Sequence, residues 1–170
     1  MKKILAALLS FILTFSAFAQ KSAIELNDII VDEQNKIGQR IIDFNYAVEA
    51  GEDMNLPLQL ILEQTKASIS VVENLKHIEG SESLKKTALA LFNFYKSIVA
   101  KEYREMVDIV KKTDVSDADV TRLNEILADI SAREEKIDAD FAAQQEAFAQ
   151  RNGFTLEENE LQDKLNQIAE

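Results

Sequence analysis

One long amphipathic stretch, residues 116–153, constrains the fold of this chain more than any other. Its seam positions recur at alternating steps of three and four residues, which places them on one face of a helix. They are Val120, Leu123, Leu127, Ile130, Ile137, Phe141 and Phe148, with Glu134 and Gln144 filling the gaps. Such a helix would be about 54 Å long, and one apolar stripe cannot stabilise it alone, so other segments must cover it.

The ends of this stretch carry their own signals. Ser116 can cap the first turn, and the side chain of Asp119, three residues later, can accept a hydrogen bond from the Ser116 amide. Together they would form a capping box with Asp in place of the usual Glu. Asn152-Gly153 suits a left-handed stop, and Phe154 follows where the apolar contact of a Schellman motif falls. The sequence therefore predicts one uninterrupted helix between Ser116 and Gly153.

Residues 1–19 are typical of a cleavable signal peptide. Lys2-Lys3 precede an apolar run, and Ala17-Phe18-Ala19 forms a cleavage site of the small-x-small type. We expect the mature protein to begin at Gln20 and to contain no membrane span. An uncleaved anchor is the competing interpretation, but the apolar run is short for a span of about 20 residues.

Three further helices are predicted between residues 20 and 115. The first runs from Ser22 to Gly51, and Ser22 and Glu25 can form its capping box. The second runs from Asn55 to Gly80 and has Pro57 in its first turn. The third runs from Ser81, which is its cap, to Ile109. Short connections make sequential helices antiparallel neighbours. Residues 20–153 are thus expected to form an all-α, up-down-up-down antiparallel four-helix bundle without a sheet.

Residues 154–170 form a tail with a short amphipathic pattern. Thr155 and Glu158 can make a capping box ahead of Leu161, Leu165 and Ile168. The expectation is a short C-terminal helix, which either folds back over the Phe141–Phe148 end of the long helix or remains a frayed terminus.

The predicted third helix has a second, aromatic flank beside its main stripe. Phe94, Tyr95 and Tyr103 belong to this flank. A helix that is apolar over so much of its circumference either lies centrally in a bundle or offers a contact surface. These three residues are therefore the candidate contact surface, with a core position as the alternative.

Residues for metal or covalent chemistry are scarce. The chain has one His and no Cys, so di-iron Glu-x-x-His pairs, covalent haem attachment and disulfides are all excluded. His77 would sit at the opposite end of its helix from Met54 and Met106, which makes an axial haem pair poor. Counting from the loops places Glu102 opposite Ile126, about a dozen Å from Glu134 along the bundle. No catalytic residue, cofactor or metal is predicted.

The charge balance restricts the partners. With 30 acidic and 19 basic residues the formal charge is −11. Such a surface repels phosphates, so nucleic acid and anionic lipid are not expected to bind. A solvated acidic surface that maintains solubility is the simplest interpretation of this charge.

Several segments resemble one family. They are the leader end Ala17-Phe18-Ala19-Gln20, the run Phe92-Asn93-Phe94-Tyr95-Lys96, Glu102-Tyr103 with Met106, the segment 119–126, and the later Phe141 and Phe148. Together they are similar to exported helical proteins of Bacteroidota and spirochaetes, known as surface proteins of unknown function. The resemblance implies a location in the envelope or at the surface. It implies no catalytic residues.

The leading functional hypothesis is a non-enzymatic exported bundle that binds another macromolecule through its helix surfaces. The partner would be an unknown protein or envelope component, in the periplasm or at the cell surface. The alternative is a small-ligand or metal carrier that uses the aromatic flank or acidic clusters. Self-assembly through the same flank is a third possibility, and the sequence does not specify the oligomeric state.

Overall fold

The computed structural model describes the backbone of residues 2–157 and the side chains from Gln20 onward. The helices are α1 (Lys2–Glu49), α2 (Asn55–Glu73), α3 (Glu82–Ala100), α4 (Glu102–Val110) and α5 (Asp117–Asn152). Within this described range there is no strand, and the predicted all-α class is confirmed.

One apolar core joins these helices. α1 packs on α2, α2 on α3, and α3 on α5, whereas the contact between α1 and α5 is sparser. The fully buried large side chains of this core include Ile30, Ile37, Ile61, Val72, Leu84, Leu91, Phe92, Ile98, Val99 and Phe148. Each helix contributes a stripe that would otherwise face water, so the hydrophobic effect holds the helices together.

Both ends of α5 have the predicted caps. The Ser116 hydroxyl accepts a hydrogen bond from the Asp119 amide at 3.2 Å, and the Asp119 carboxylate accepts one from the Ser116 amide at 3.1 Å. At the other end Gly153 adopts φ +72°, and the Phe154 amide donates to the Ala149 carbonyl at 3.1 Å. This bond closes a Schellman motif, and Phe154 packs edge-on against Phe148.

One predicted helix start is wrong, and one predicted cap bond is not formed. α1 already begins at Lys2, so Ser22 lies inside the helix, because the preceding leader continues the helix instead of ending at a cap. Ser81 precedes α3 but makes no cap bond to it. Its hydroxyl donates to the Ile78 carbonyl at 2.7 Å and therefore stabilises the preceding loop.

The second helix ends earlier than predicted, at Glu73 instead of Gly80. The Asn74 side chain donates to the Ser70 carbonyl at 2.7 Å, and such bonds compete with continuation of a helix. Lys85 then donates to the Leu75 carbonyl at 2.7 Å, which satisfies a group that the helix has released. Gly80 closes the loop with φ +79°.

The predicted third helix is interrupted at Lys101, where φ −127° and ψ −71° are not helical. No Gly or Pro marks this position in the sequence. The interruption coincides with burial of the next residue, Glu102, whose carboxylate lies 2.9 Å from Arg133 of α5. α4 then continues with Val107 and Ile109 buried.

The seam of α5 is only partly in the core. Val120 and Leu127 are each 48 % exposed, while Phe141 and Phe148 are buried. A straight helix drifts by about 20° per heptad, or about 80° between residues 120 and 148. The seven-residue pattern therefore cannot keep all its members on one face, and the first members turn towards solvent.

The described part of the tail is residues 154–157, of which Phe154 is half-buried against the core. The predicted capping residue Glu158 and the helix through Leu161, Leu165 and Ile168 lie outside the described residues.

Candidate functional site

The aromatic flank lies in the core of the structure. Phe94 and Tyr95 are each 6 % exposed, and Tyr103 is half-buried and stacked on Phe44 with ring centroids 5.5 Å apart. These rings therefore cannot offer a broad contact surface, which corrects that expectation. Their burial agrees with the other alternative, a central position, because Phe44 of α1 and Arg133 of α5 pack against the flank.

Beside these rings lies a tyrosine–carboxylate cluster, formed by Tyr95, Tyr103, Glu134 and Asp138. Tyr95 is hydrogen-bonded to Glu134 across the α3–α5 contact. Burial raises the pKa of Tyr95 well above its usual value, and burial raises the pKa of Tyr103 to about 12. Both phenols therefore stay protonated, and the Tyr95 hydroxyl donates its hydrogen bond to the Glu134 carboxylate.

The two carboxyl groups of the cluster are half-buried and one helical turn apart. Burial raises the pKa of Glu134, although its hydrogen bond with Tyr95 opposes this. Burial, followed by the charge of Glu134, raises the pKa of Asp138 to about 6. The pair can thus hold a proton at a pH where ordinary carboxyl groups are ionised.

Arg133 is next to Glu134 in sequence, but it pairs with acidic residues outside the tyrosine–carboxylate cluster. Its guanidinium lies 2.9 Å from Glu102 and 2.7 Å from Asp129, and 5.1 Å from the centroid of the Phe94 ring. Glu102 thus pairs with Arg133, seven residues beyond the predicted Ile126, whereas Glu105 pairs with Arg122, within one residue of the position that the same loop count gives. The predicted register therefore holds at Glu105 and fails at Glu102, which directly follows the interruption at Lys101.

A second polar group, which we call the α1–α2 clamp, escaped the sequence reasoning. Glu33 is only 5 % exposed, accepts a hydrogen bond from the Ser68 hydroxyl at 2.6 Å, and pairs with Lys36 at 2.5 Å. A signal was present, because Glu33 lies three residues after Ile30 and four before Ile37 and so shares their face. The clamp fixes how α1 and α2 align.

No described cluster has the composition of a metal or nucleophilic site. Among residues whose side chains are described, no group of three or more His, Cys, Asp or Glu side chains could hold a metal ion. His77 lies in the loop after α2 with a largely exposed side chain, 3.3 Å from Glu82. An open groove of about 1460 Å³ runs between α1 and residues 153–157, but Phe94, Tyr95 and Tyr103 do not line it.

Exposed apolar side chains gather at one end of the molecule, where the α1–α2 loop meets the α4–α5 loop. Lys111 and Asp53 lie 3.5 Å apart across this junction. We call the surface around it the apolar end; its members are Tyr46, Val48, Leu56, Val110 and Val115. The first half of α5 continues from there with the exposed Val120 and Leu127.

The described residues thus define an all-helical, bundle-like protein with a buried polar cluster and one apolar end. Neither a family model, nor a curated protein sequence, nor a solved structure matches the chain. Within the part of the chain that the structure describes, none of the helices has the length and apolar character to cross a membrane.

Proposed function

We propose that this chain is a non-enzymatic exported helical-bundle protein that binds another macromolecule through its helix surfaces, in the periplasm or at the cell surface. The apolar end carries this proposal. Leu56 there is 60 % exposed, and Val48, Val110 and Val115 expose large fractions of their side chains. Exposed apolar surface costs free energy in water, and a gathering of exposed apolar side chains is a common mark of a surface that binds another molecule.

The arrangement that presents this surface is an up-down-up-down antiparallel bundle in our proposal, with α3 and α4 acting as one arm. Contacts between helices support it, because the partner residue in α5 moves backward as the facing chain advances. Gly80 and Glu105 contact Arg151 and Arg122, while Gln20 and Asn27 contact Gly153 and Gln145. Glu33 of α1 contacts Ser68 of α2 across their short connection. In such a bundle both loops of the apolar end lie side by side.

Export rests on the sequence of residues 1–19, and the family resemblance supports an envelope or surface location. Cleavage after Ala19 would leave Gln20 as the first residue. Intact-mass measurement on protein from the native host tests this step. A mass that includes residues 1–19 would contradict the proposed processing.

The partner that we propose is a protein or another envelope component with an apolar patch of its own. The net charge of −11 disfavours nucleic acid, because phosphates would be repelled. Near the apolar end, Lys111 and Lys112 stand beside Asp53 and Asp119, so the rim has both signs of charge. A mixed rim suits a polar border around an apolar centre.

The test is capture of envelope components from native cells on the immobilised protein. Leu56→Glu places a charge in the apolar end at an exposed position, so folding should be unaffected while captured material falls at least tenfold. Ser70→Glu adds the same charge at an exposed site on the same helix, away from that end, and should capture as the wild type does. Equal capture by wild type and both variants would overturn the proposal.

A further inference from the structure

An open groove runs along one side of α1, in the seam between α1 and α5. We call it the α1 groove; its walls are α1 from Gln20 to Gln39, Gln145 of α5, and residues 153–157. α1 packs closely on α2 but makes only sparse contact with α5, so this seam stays open. The groove has a volume of about 1460 Å³, which exceeds the roughly 300–1,000 Å³ of ordinary small-molecule pockets. It is large enough to hold a segment of polypeptide.

The α1 groove contains apolar side chains that the rest of the described chain leaves partly in water. Ile24 and Val31 of α1 are seven residues apart, so they lie on one face of the helix, and both are only half-buried. Phe154 is half-buried as well, and Leu156 is 37 % exposed. Partly hydrated apolar surface of this kind favours an occupant that brings apolar side chains of its own.

The chain itself enters this groove after α5 ends. The Gln20 side chain donates to the Gly153 carbonyl at 2.6 Å, which fixes the end of α5 at one end of the α1 wall. Residues 154–157 then line the groove, so the chain that follows Glu157 begins there. Leu161 is four residues further on and cannot lie more than about 14 Å from Glu157 in any conformation. This tether holds the next segment at the groove at an effective concentration on the order of 1 mM.

We propose that residues 158–170 dock in the α1 groove and cover Ile24 and Val31. The apolar residues of this segment recur at steps of four and three; they are Leu161, Leu165 and Ile168. Docking would remove both sets of apolar side chains from water. A separate molecule would first lose its translational and rotational freedom, whereas the tethered segment has already lost most of it.

This position differs from the one that the sequence suggested, which was the Phe141–Phe148 end of α5. Phe141 and Phe148 are already buried, so they leave no apolar surface for the tail to cover. Ile24 and Val31 still offer such surface. A docked tail also occupies the groove that a small-ligand carrier would need, so a ligand would have to displace it.

Charge opposes this docking, so the apolar contact must outweigh repulsion. Asp28 and Asp32 line the α1 wall, and residues 158–170 carry four acidic side chains against one basic. Salt screens the repulsion between like charges. Added salt should therefore strengthen the docking, whereas salt would weaken a contact that ion pairs held together.

Thiol labelling of protein produced from the complete chain tests the proposal, since the chain has no Cys and one introduced thiol reports one position. Asp28 is exposed and lines the groove, whereas Ser22 is exposed on another side of α1. With an uncharged maleimide, Asp28→Cys should react at least tenfold slower than Ser22→Cys. Equal rates would overturn the proposal, because the groove would then be open.

A second substitution identifies what covers the Asp28→Cys thiol. Leu165→Glu places a charge in the apolar stripe of the tail and should speed labelling at least tenfold. Asn166→Glu adds the same charge at the next position, beside that stripe, and should change the rate less than twofold. Slow labelling that Leu165→Glu does not relieve, or that depends on protein concentration, would overturn the proposal, because another molecule would then be the occupant.

The docked tail and the proposed function can fail separately. Docking is measured with the purified protein alone, and its decisive variant is Leu165→Glu. Capture of an envelope partner is measured with Leu56→Glu at the apolar end. Loss of one result leaves the other standing.

Discussion

Replacing Asp138 by Asn should stabilise the protein at neutral pH. Asp138 is half-buried one turn from Glu134, and the described groups facing the pair from α3 and α4 are the phenols Tyr95 and Tyr103. Burial raises the pKa of Asp138 from 3.8 to about 6, so ionisation at neutral pH opposes folding. An amide keeps the shape of the side chain and removes this charge.

The magnitude follows from the pKa shift. A pKa change of about two corresponds to about 3 kcal/mol in the free energy of unfolding. Because solvent reaches part of Asp138, we expect an effect of about 1–2 kcal/mol. The pKa in the folded state is raised, so the favourable contribution is complete below pH 3.8 and is lost as the pH rises through about 6. The gain from Asp138→Asn should therefore grow across that window.

Urea unfolding of both proteins at several pH values measures this directly. Asp138→Asn should raise the free energy of unfolding by about 1–2 kcal/mol at pH 7.5 and by only a few tenths at about pH 4. Asp140→Asn makes the same change at an exposed site on the same helix and should do little at either pH. A destabilised Asp138→Asn protein, or a gain independent of pH, would refute the reasoning.

Three further substitutions test local features. Ser116→Ala should lower the free energy of unfolding by about 1 kcal/mol, because the capping box of α5 is lost, while Ser131→Ala on an exposed turn should not. Gly153→Ala should cost about 1 kcal/mol, since its φ of +72° disfavours a Cβ; a cost near zero would dispute the Schellman stop. Ser68→Ala should cost about 1–3 kcal/mol in urea unfolding, because buried Glu33 loses a donor, and an unchanged midpoint would reject the clamp.

The helix ends that the sequence predicts correctly are those coded by neighbouring residues. Ser116 with Asp119, and Gly153 with Phe154, satisfy backbone groups within one turn, so the local sequence is sufficient. Ser81 offers only the capping hydroxyl, since Leu84 stands where the second residue of a capping box would be, and its hydroxyl bonds to the preceding loop instead. A local pattern therefore predicts that a cap can form, and tertiary packing determines whether it does.

Features set by tertiary contact were not predictable in this way. The interruption at Lys101 has no Gly or Pro signal and coincides with pairing of Glu102 to Arg133, about 31 residues further on. The exposure of Val120 and Leu127 follows from helical drift, which a seven-residue pattern conceals.

The candidate site was predictable only in part. Phe94, Tyr95 and Tyr103 were recognised as an aromatic flank, but single-helix periodicity could not say whether solvent or other helices covered it. Glu134 was identified as an interruption of the seam, while Asp138 lies just beside the seam and gave no signal. Their shared environment depends on α3 and α4, which approach only in the folded protein.

The fold divides α5 into a packed half and a surface half, and amide hydrogen exchange measures this division residue by residue. We predict that amides of residues 130–149 exchange only through the same opening that exposes α3, whereas those of residues 120–124 exchange through local opening with much less protection. Uniform core-like protection along all of α5, or exchange of residues 130–149 independent of α3, would contradict the account.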